Sequence, residues 1–311
     1  HSLNFFRTSD GRATADLRDN LGAEWTALAS GLATLYHQLE QIRSDLEESE
    51  PLIRRVSRHS SVLQDLFEFN DSDHVFWFEK RGRGVQVNLT PIDVSGLLRE
   101  KLFDRADTIV LTSATLRTQG DFRYIRERLG FEDAVELAVP GEFDYASQAV
   151  LYVPRDMPEP SSADYFSCLI DEIRSVLRLT SGRAFLLFTS LRQMRRVYAF
   201  LKENECYPLF CQGEQPKARL LELFRKTPGA VLCATSSFWQ GVDVPGDDLK
   251  AVIIDKLPFQ VPTEPLVAAR MHRLAEGGGN PFWDYSVPSA IITLRQGLGR
   301  LIRSKSDTGL L

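Results

Sequence analysis

Two arginines and a glutamine lie close together near the end of the sequence. They are Gln296, Arg300 and Arg303, in a stretch that reads Gln-Gly-Leu-Gly-Arg-Leu-Ile-Arg. A planar guanidinium binds phosphoryl oxygens in a fixed two-point geometry and keeps its charge at physiological pH. The spacing therefore predicts a site for a phosphoryl group. The alternative is a surface helix whose arginines are simply solvated.

One helix would have to position these three side chains. Pro288 and the apolar residues after it recur at helical spacing, which predicts a continuous helix through Arg303. On such a helix Gln296 and Arg300 are four residues apart and Arg300 and Arg303 three apart, so all three lie on one face. Gly297 and Gly299 each cost about 1 kcal/mol relative to alanine inside a helix. We therefore expect these glycines to allow close approach to a facing domain.

Four short apolar runs in the sequence predict strands that are buried on both faces. Each run is followed by polar residues or turn formers. Helical patterns lie between the first and second runs (about 165–179), between the second and third runs (191–203 and 217–225) and after the fourth run (265–275). The fold class is therefore α/β, a doubly wound parallel sheet with a polar site at its carboxyl edge. The four runs are residues 108–111, 184–188, 230–233 and 251–254.

The segment after the third run carries several groups suited to a nucleotide or a nucleic acid. Gly241 would let the backbone approach a ligand, and Asp243 could accept hydrogen bonds from a ribose hydroxyl or an arginine. Phe238 and Trp239 offer faces on which bases could stack. Equally, these two rings could fill the interface between sheet and helix.

Thr189 and Ser190 directly precede a predicted helix. Their hydroxyls and the first free amides of that helix could bind a phosphate. Capping of the helix by Ser190 explains the same residues equally well.

The first part of the chain has a different organisation. Helical spacing over 13–46 and 51–69 predicts a helical hairpin. Its charged residues either form a solvated face or border an apolar stripe to which a partner could bind. A β-hairpin is predicted from 75–78 and 85–89, followed by a helix at 94–103. Residues 141–160 read as a linker with a short strand at 149–153, and 276–281 as a loop over the site. A further strand would begin at 310–311.

Composition excludes some classes of protein. The 311 residues include 37 basic and 42 acidic side chains, a net charge of −5, which argues against a broad cationic coat but not against a local basic channel. The sequence shows no membrane-spanning run and no signal pattern, so we expect a cytoplasmic protein. Its four cysteines, Cys168, Cys206, Cys211 and Cys233, do not have metal-site spacing and are predicted to be buried free thiols, with no metal site.

The sequence contains no G-x-x-x-x-G-K-[ST] loop, and no apolar strand that ends in paired acidic residues for magnesium. The arginines would then complete a nucleotide site formed with another domain. We therefore expect the isolated chain to lack ATPase activity.

The motifs resemble those of superfamily 2 helicases. Residues 112–116 (TSATL) are similar to motif III, 188–190 to motif IV, 237–243 (SFWQGVD) to motif V and 296–303 to motif VI. With 253–259 (IIDKLPF) in the same order, the set resembles the XPD/DinG family, and within it the bacterial YoaA-type DinG-like proteins. The resemblance covers about 85–311, and motifs V and VI carry most of it.

This resemblance implies an ATP-dependent 5′–3′ DNA helicase that acts in DNA repair or replication, in which two RecA-like domains enclose ATP and Mg²⁺. Arg300 and Arg303 would be the phosphate contacts and arginine finger, and Gln296 would contact the nucleotide or couple its state. The remaining roles implied are nucleotide contact by Gly241, Asp243 and Gly299, nucleic-acid contact by Thr189, Ser190, Ser237, Phe238 and Trp239, and domain coupling by Thr112, Ser113, Ala114 and Thr115.

The resemblance also implies a division of the chain. Residues 1–73 would be part of an Arch-like helical insert, 74–118 the last piece of the first RecA-like domain, 119–160 a linker and first strand, and 161–311 the second RecA-like domain. The chain would be a fragment, with the phosphate-binding loop and an iron–sulfur cluster in an upstream domain. Expected partners are single-stranded or forked DNA and a replication protein such as the chi subunit of polymerase III, with no membrane. Two alternatives are a non-catalytic module that docks a replication or repair protein, and part of an RNA helicase.

Overall fold

The computed structural model describes residues 12–43, 49–68, 73–81, 84–131, 133–235, 238 and 248–311. Contacts divide the chain into two compact units, one of 1–107, 128–131 and 261–281 and one of 108–127, 132–260 and 282–311. This grouping differs from the predicted four-part division, since 261–281 lie with the first part of the chain. No described helix is both long enough and apolar enough to cross a membrane.

The helices have the following bounds. They are α1 Arg12–Gln41, α2 Ser49–Glu68, α3 Ser95–Lys101, α4 Arg123–Leu129, α5 Tyr145–Gln148, α6 Tyr165–Thr180, α7 Leu191–Asn204, α8 Lys217–Lys226, α9 Pro265–Glu276 and α10 Val287–Leu298. A 3₁₀ turn covers Phe103–Arg105, and a π-helical turn covers Pro281–Ser286. The predicted helices are confirmed in position, usually to within a few residues.

The first unit contains the helical hairpin and the β-hairpin, both as predicted. Helices α1 and α2 pack together, and Ile53 and Val56 of α2 are buried. Strands β1 (His74–Arg81) and β2 (Gly84–Pro91) pair antiparallel in full register. Helix α9 packs against β1, where Arg273 forms a salt bridge of 2.6 Å with Asp73. The tip of the β-hairpin, 82–83, lies outside the described residues.

The second unit is built on a six-stranded sheet in which every pair of strands is parallel. Its spatial order is β3-β8-β7-β4-β6-β5, and this confirms the predicted α/β sheet. The strands are β3 Ala149–Val150, β4 Ala184–Phe188, β5 Leu209–Cys211, β6 Val231–Thr235, β7 Ala251–Ile254 and β8 Gly309–Leu310.

Both faces of this sheet are covered, which explains the apolar runs. Side chains of α6 and α7, such as Ile173 and Val197, pack on one face with Leu186 and Phe188 of β4. Side chains of α8 and of the turn after α10, such as Phe224 and Leu301, pack on the other face. Strand β4 lies at the centre and is buried along its whole length. Its carboxyl end therefore sets the position of the sheet edge where the candidate site lies.

The strand predicted at 108–111 is not formed. These residues are irregular, and the side chain of Val110 is 81% exposed. A strand requires a neighbour for its backbone hydrogen bonds, and among the described residues this run has none. The predicted strand at 149–153 is formed only at Ala149–Val150, although the amide of Tyr152 still donates to the carbonyl of Leu311 at 2.8 Å.

The continuous helix predicted through Arg303 is also wrong. Helix α10 ends at Leu298, and Gly299 takes the C-cap position with φ −63° and ψ 1°. Gly297 and Gly299 have low helix propensity, so the last predicted turn unwinds there. Arg303 consequently lies beyond the helix and not on its face.

The prediction of buried thiols holds for two cysteines and fails for one. Cys211 and Cys233 are buried on neighbouring strands and Cys168 is half-buried, whereas Cys206 is exposed because it follows α7 in a surface loop. In the described part of the chain, no cluster of three or more His, Cys, Asp or Glu side chains could hold a metal ion.

Candidate functional site

Polar residues follow the central strands at the carboxyl edge of the sheet, as predicted. The backbone amide of Thr189, after β4, donates to Asp255 Oδ1, after β7, at 3.0 Å. On the other side of β4, Gln212 Oε1 accepts from the amide and the hydroxyl of Thr235 at 2.7 and 3.0 Å. Side chains thus tie the ends of neighbouring strands to one another. Neither Asp255 nor Gln212 was predicted as a site residue, because their partners are distant in the sequence.

Ser190 caps helix α7. Its hydroxyl accepts from the backbone amide of Gln193 at 3.4 Å, and its backbone is extended, as usual for this position. Capping therefore accounts for Ser190, and contact of Thr189 or Ser190 with a phosphate remains a prediction.

Asp255 is a carboxylate held in an unusual environment. Burial raises its pKa to about 6, and the hydrogen bond from the Thr189 amide and the charge of Lys256 oppose that rise only in part. Its Oδ2 atom is buried and makes no hydrogen bond among the described residues. A cavity of about 500 Å³ opens beside it, lined mainly by apolar side chains of α6, α10 and β7. Lys256 and Tyr152 are the polar donors among its lining residues.

The two predicted phosphate-binding arginines lie after the end of α10. Arg300 Nε donates to the carbonyl oxygen of Gln296 at 3.0 Å, so its guanidinium is held against the last turn of the helix. The Oε1 atom of Gln296 is buried and makes no hydrogen bond within the described part of the chain. The structure therefore places Arg300 against the backbone carbonyl of Gln296, and the side-chain amide oxygen of Gln296 is enclosed within the protein.

Asp307 organises the turn that carries Arg303. Its Oδ2 accepts from the backbone amides of Arg303 and Ser304, both at 2.8 Å, and its Oδ1 accepts from the Ser304 hydroxyl at 2.7 Å. Burial by itself would raise the pKa of Asp307, but these hydrogen bonds outweigh it and lower the pKa. Gln148 completes the turn by donating to the carbonyls of Ser304 and Asp307 at 2.8 and 2.9 Å.

Lys217, the first residue of α8, adds a cation that sequence reasoning missed. Its amino group lies 5.1 Å from the ring centroid of Phe238. Burial lowers the pKa of Lys217, and the positive charge of Arg300 lowers it further. Lys217 at the N-terminus of α8 and Arg300 after α10 are therefore close enough for their charges to interact, and such a pair of cations suits an anion. A lysine that begins a helix is common in sequences, so only the fold could reveal this pairing.

Phe238 does not offer a stacking face. Its side chain is 5% exposed and packs with Phe224 and Leu249 against the sheet, so the interpretation as a base-stacking residue is wrong. The alternative, that this ring fills the interface between sheet and helix, holds for Phe238. The other predicted residues of this segment, Ser237, Trp239, Gly241 and Asp243, lie outside the described residues.

The predicted coupling residues do not follow a strand, because the run before them forms none. Thr112, Ser113 and Ala114 are exposed and Thr115 is half-buried, in a turn where Ser113 Oγ accepts from the Thr115 amide at 3.2 Å. Their role in domain coupling stays a prediction.

Comparisons with known proteins agree with the motifs. Residues 173–311 match the model of the helicase C-terminal domain. The chain is 39% identical over 257 residues to the ATP-dependent DNA helicase YoaA of Escherichia coli, across 83% of this chain and 40% of that protein. It is 39% identical over 262 residues to YoaA of Haemophilus influenzae, across 84% and 41%. The chain therefore spans about two fifths of the length of these relatives.

More distant matches extend the comparison. The 3′-5′ exonuclease DinG of Bacillus subtilis is 32% identical over 279 residues, across 85% of this chain and 30% of that protein. A solved XPD helicase structure superposes with a TM-score of 0.58 at 17% identity, across 88% of this chain and 51% of the other. A structure of XPD in the apo form gives 0.57 at 17% identity, across 85% and 56%. The structural matches show the shared fold alone. The family match over 173–311 and the YoaA and DinG relatives show that the chain carries the helicase C-terminal domain of the XPD/DinG family.

Proposed function

We propose that this chain provides the second motor domain of an ATP-dependent DNA helicase that moves 5′ to 3′ in repair or replication. The observation that carries the proposal is the proximity of two cations, Arg300 and Lys217. Arg303 follows in the next turn, where Asp307 binds its backbone amide. Relatives named as ATP-dependent DNA helicases support the choice of reaction.

The residues present fit the phosphates of a nucleotide. The positive charges of Arg300 and Lys217 are screened only in part by solvent, because both side chains are partly buried. ATP, when bound with Mg²⁺, supplies the phosphoryl group whose hydrolysis releases free energy. The chain's own part would be to hold and neutralise charge on that group, with Arg303 as the arginine finger.

The remaining roles are part of the same proposal. Thr189, Ser190, Ser237 and Trp239 would contact the nucleic-acid backbone or bases, Gly241, Asp243 and Gly299 the nucleotide, and residues 112–115 would couple the two motor domains. The first RecA-like domain, with its phosphate-binding loop and an iron–sulfur cluster, would be supplied by the complete protein. A replication-fork partner such as the polymerase III chi subunit would bind to the complete protein.

Substitution of Arg303 in the complete protein tests the proposal. Arg303→Ala should lower DNA-stimulated ATP turnover by about 10³-fold or more, as for other arginine fingers, and change DNA affinity much less. Arg219→Ala is the matched control, since that arginine is exposed and bound to Glu222 on α8 at 2.8 Å. Normal turnover by Arg303→Ala would show that the finger assignment is wrong. Robust ATP hydrolysis by the 311-residue chain alone would also contradict the proposal.

A further inference from the structure

Arg295, in the last turn of α10, contacts two parts of the second unit that are distant in the sequence. Its Nη1 atom donates to the backbone carbonyl oxygen of Arg117 at 2.6 Å. Its own carbonyl oxygen accepts from the backbone amide of Gly299 at 2.9 Å, and a Cβ atom at position 299 would lie only 3.0 Å from that oxygen. Gly299 directly precedes Arg300. One residue therefore connects the turn of the proposed phosphate contact with the segment around Arg117.

The segment around Arg117 is a tight turn with its own hydrogen bonds. The backbones of Thr118 and Asp121 exchange two hydrogen bonds, at 2.9 and 3.0 Å, and Thr118 is buried. Arg117 Nε donates to the carbonyl oxygen of Gly120 at 2.6 Å, across the same turn. A single residue separates Arg117 from the proposed coupling residues 112–115. The carbonyl group that α10 contacts is thus held in place by this turn and lies next to the coupling residues.

Arg295 also has a simpler role that depends on charge alone. The carboxyl end of a helix carries partial negative charge, so a cation in the last turn stabilises the helix wherever its side chain points. Arg178 occupies the same position in α6, where it is exposed. The side chain of Arg295 differs because it reaches a carbonyl group 178 positions earlier in the chain. Such a contact requires a donor of the right length and geometry, and not only a charge.

We propose that Arg295 is a positioning residue that transmits a displacement of residues 112–118 to Gly299 and Arg300. The inference rests on the proposed function, in which residues 112–115 couple two motor domains and Arg300 contacts a phosphate. Chains of hydrogen bonds and rigid elements carry coupling between sites, and the two bonds of Arg295 lie in series. A shift of Arg117 relative to α10 would therefore move the end of the helix. Binding of DNA would in this way change the position of Arg300 and stimulate ATP hydrolysis.

The test measures ATP turnover by the complete protein with and without single-stranded DNA. Arg295→Ala should lower the stimulation by DNA about tenfold, within the usual range for coupling between two sites. Turnover without DNA and the KM for ATP should stay close to those of the unchanged protein, because Arg295 itself contacts neither ligand in this proposal. A purely structural role would instead lower turnover by the same factor with and without DNA.

Two further variants separate the hydrogen bond from packing and from charge. Arg295→Met keeps an unbranched apolar side chain but has no donor, so it should lose the stimulation as Arg295→Ala does. Arg178→Ala is the matched control, because it removes an exposed cation from the last turn of another helix. It should keep the stimulation of the unchanged protein. Thermal melting confirms that each variant is folded.

Gly120→Ala perturbs the other end of the connection. The φ angle of Gly120 is +100°, where a side chain is strained, and its carbonyl oxygen accepts from Arg117. If both ends act in one chain, Gly120→Ala combined with Arg295→Ala should lower the stimulation no further than the stronger single variant. Losses that multiply would contradict the proposal. Gly213→Ala is the control, since its φ is also +100° and a Cβ atom there meets nothing within 4 Å.

The outcomes that overturn the inference differ from those that overturn the proposed function. Full stimulation of Arg295→Ala by DNA, or an equal loss in Arg178→Ala, would overturn the role of Arg295 alone, because DNA would still stimulate the unchanged protein. Absence of any stimulation of the unchanged complete protein by DNA would overturn both.

Discussion

Asp307 holds the backbone amide of Arg303 at 2.8 Å, four residues earlier in the chain. The same carboxylate binds the amide and the hydroxyl of Ser304, and Asp307 is buried. Because α10 has already ended at Leu298, no helical hydrogen bonds hold Arg303 in position. The backbone of Arg303 is therefore positioned by this carboxylate and not by the helix.

Asp307→Ala should lower the free energy of unfolding by about 2–4 kcal/mol, because it removes three hydrogen bonds to a buried charged group. Asp307→Asn, which keeps one acceptor oxygen, should cost less. Chemical denaturation measures both. Since the folded pKa of Asp307 is lowered, its contribution is present above the unfolded value and is lost as pH falls below about 4. Stability of Asp307→Ala equal to that of the unchanged chain would show that the turn forms without this carboxylate.

Asp255 should show the opposite dependence on pH. Its folded pKa of about 6 lies above the ordinary aspartate value of 3.8, so the folded state favours the protonated form. Its contribution to stability is full below the unfolded pKa and falls as pH rises through about 6. Asp255→Asn removes this titration while keeping an acceptor for the Thr189 amide.

Thermal melting from pH 4 to pH 7 measures this effect. The stability of the unchanged chain should fall relative to Asp255→Asn over this range by up to about 3 kcal/mol. A difference that stays constant with pH would show that the carboxyl group of Asp255 titrates normally.

The sequence predicted best those helices and strands whose pattern of apolar residues is visible within the element itself. Strands β4, β6 and β7 are short apolar runs because both faces of the sheet are covered, and α6 to α8 show the periodicity of helices with one buried face. Strand β5 has only three residues, too few to give a pattern. The run 108–111 has the pattern of a buried strand but no neighbouring strand among the described residues, so pattern alone gave the wrong result there.

The site was predicted in composition but not in arrangement. The spacing predicted the side chains of Gln296 and Arg300 on one helix face, but α10 ends at Leu298 and Arg300 contacts the backbone carbonyl of Gln296 instead.

Asp307 was missed although its partners Arg303 and Ser304 are only four and three residues away, because no motif marks it. Lys217 and Asp255 were missed because their partners come from elements distant in the sequence. Only pairing of the strands brings those elements to one edge.

Lys217→Met in the complete protein should weaken nucleotide binding by about tenfold, seen as a raised KM for ATP, because it removes one of the two cations grouped near Phe238. Methionine keeps the length of the side chain, so packing on Phe238 is retained. Lys226→Met on the same helix is the control, since that lysine is exposed and bound to Glu222 at 2.7 Å. Equal KM values for the two variants would exclude Lys217 from the nucleotide site.

Gly309 in β8 links the edge of the sheet to the turn after α10. A Cβ atom at this position would lie 2.5 Å from Leu301 Cδ1 and 2.8 Å from the carbonyl oxygen of Lys250. The backbone oxygen cannot move away without disturbing the pairing of β8, whose Leu310 amide donates to it at 2.9 Å. Gly309→Ala should therefore lower the free energy of unfolding by about 2 kcal/mol, as expected for an overpacked site.

The control for Gly309 is Gly141→Ala, because a Cβ there meets nothing within 4 Å. It should melt as the unchanged chain does. Leu301 is buried one residue after Arg300, so the strain in Gly309→Ala is transmitted to the turn that carries the arginines. In the complete protein, ATP turnover should then fall by more than the loss of folded molecules explains. If Gly309→Ala kept both its stability and its turnover, β8 could not be the support against which this turn is packed.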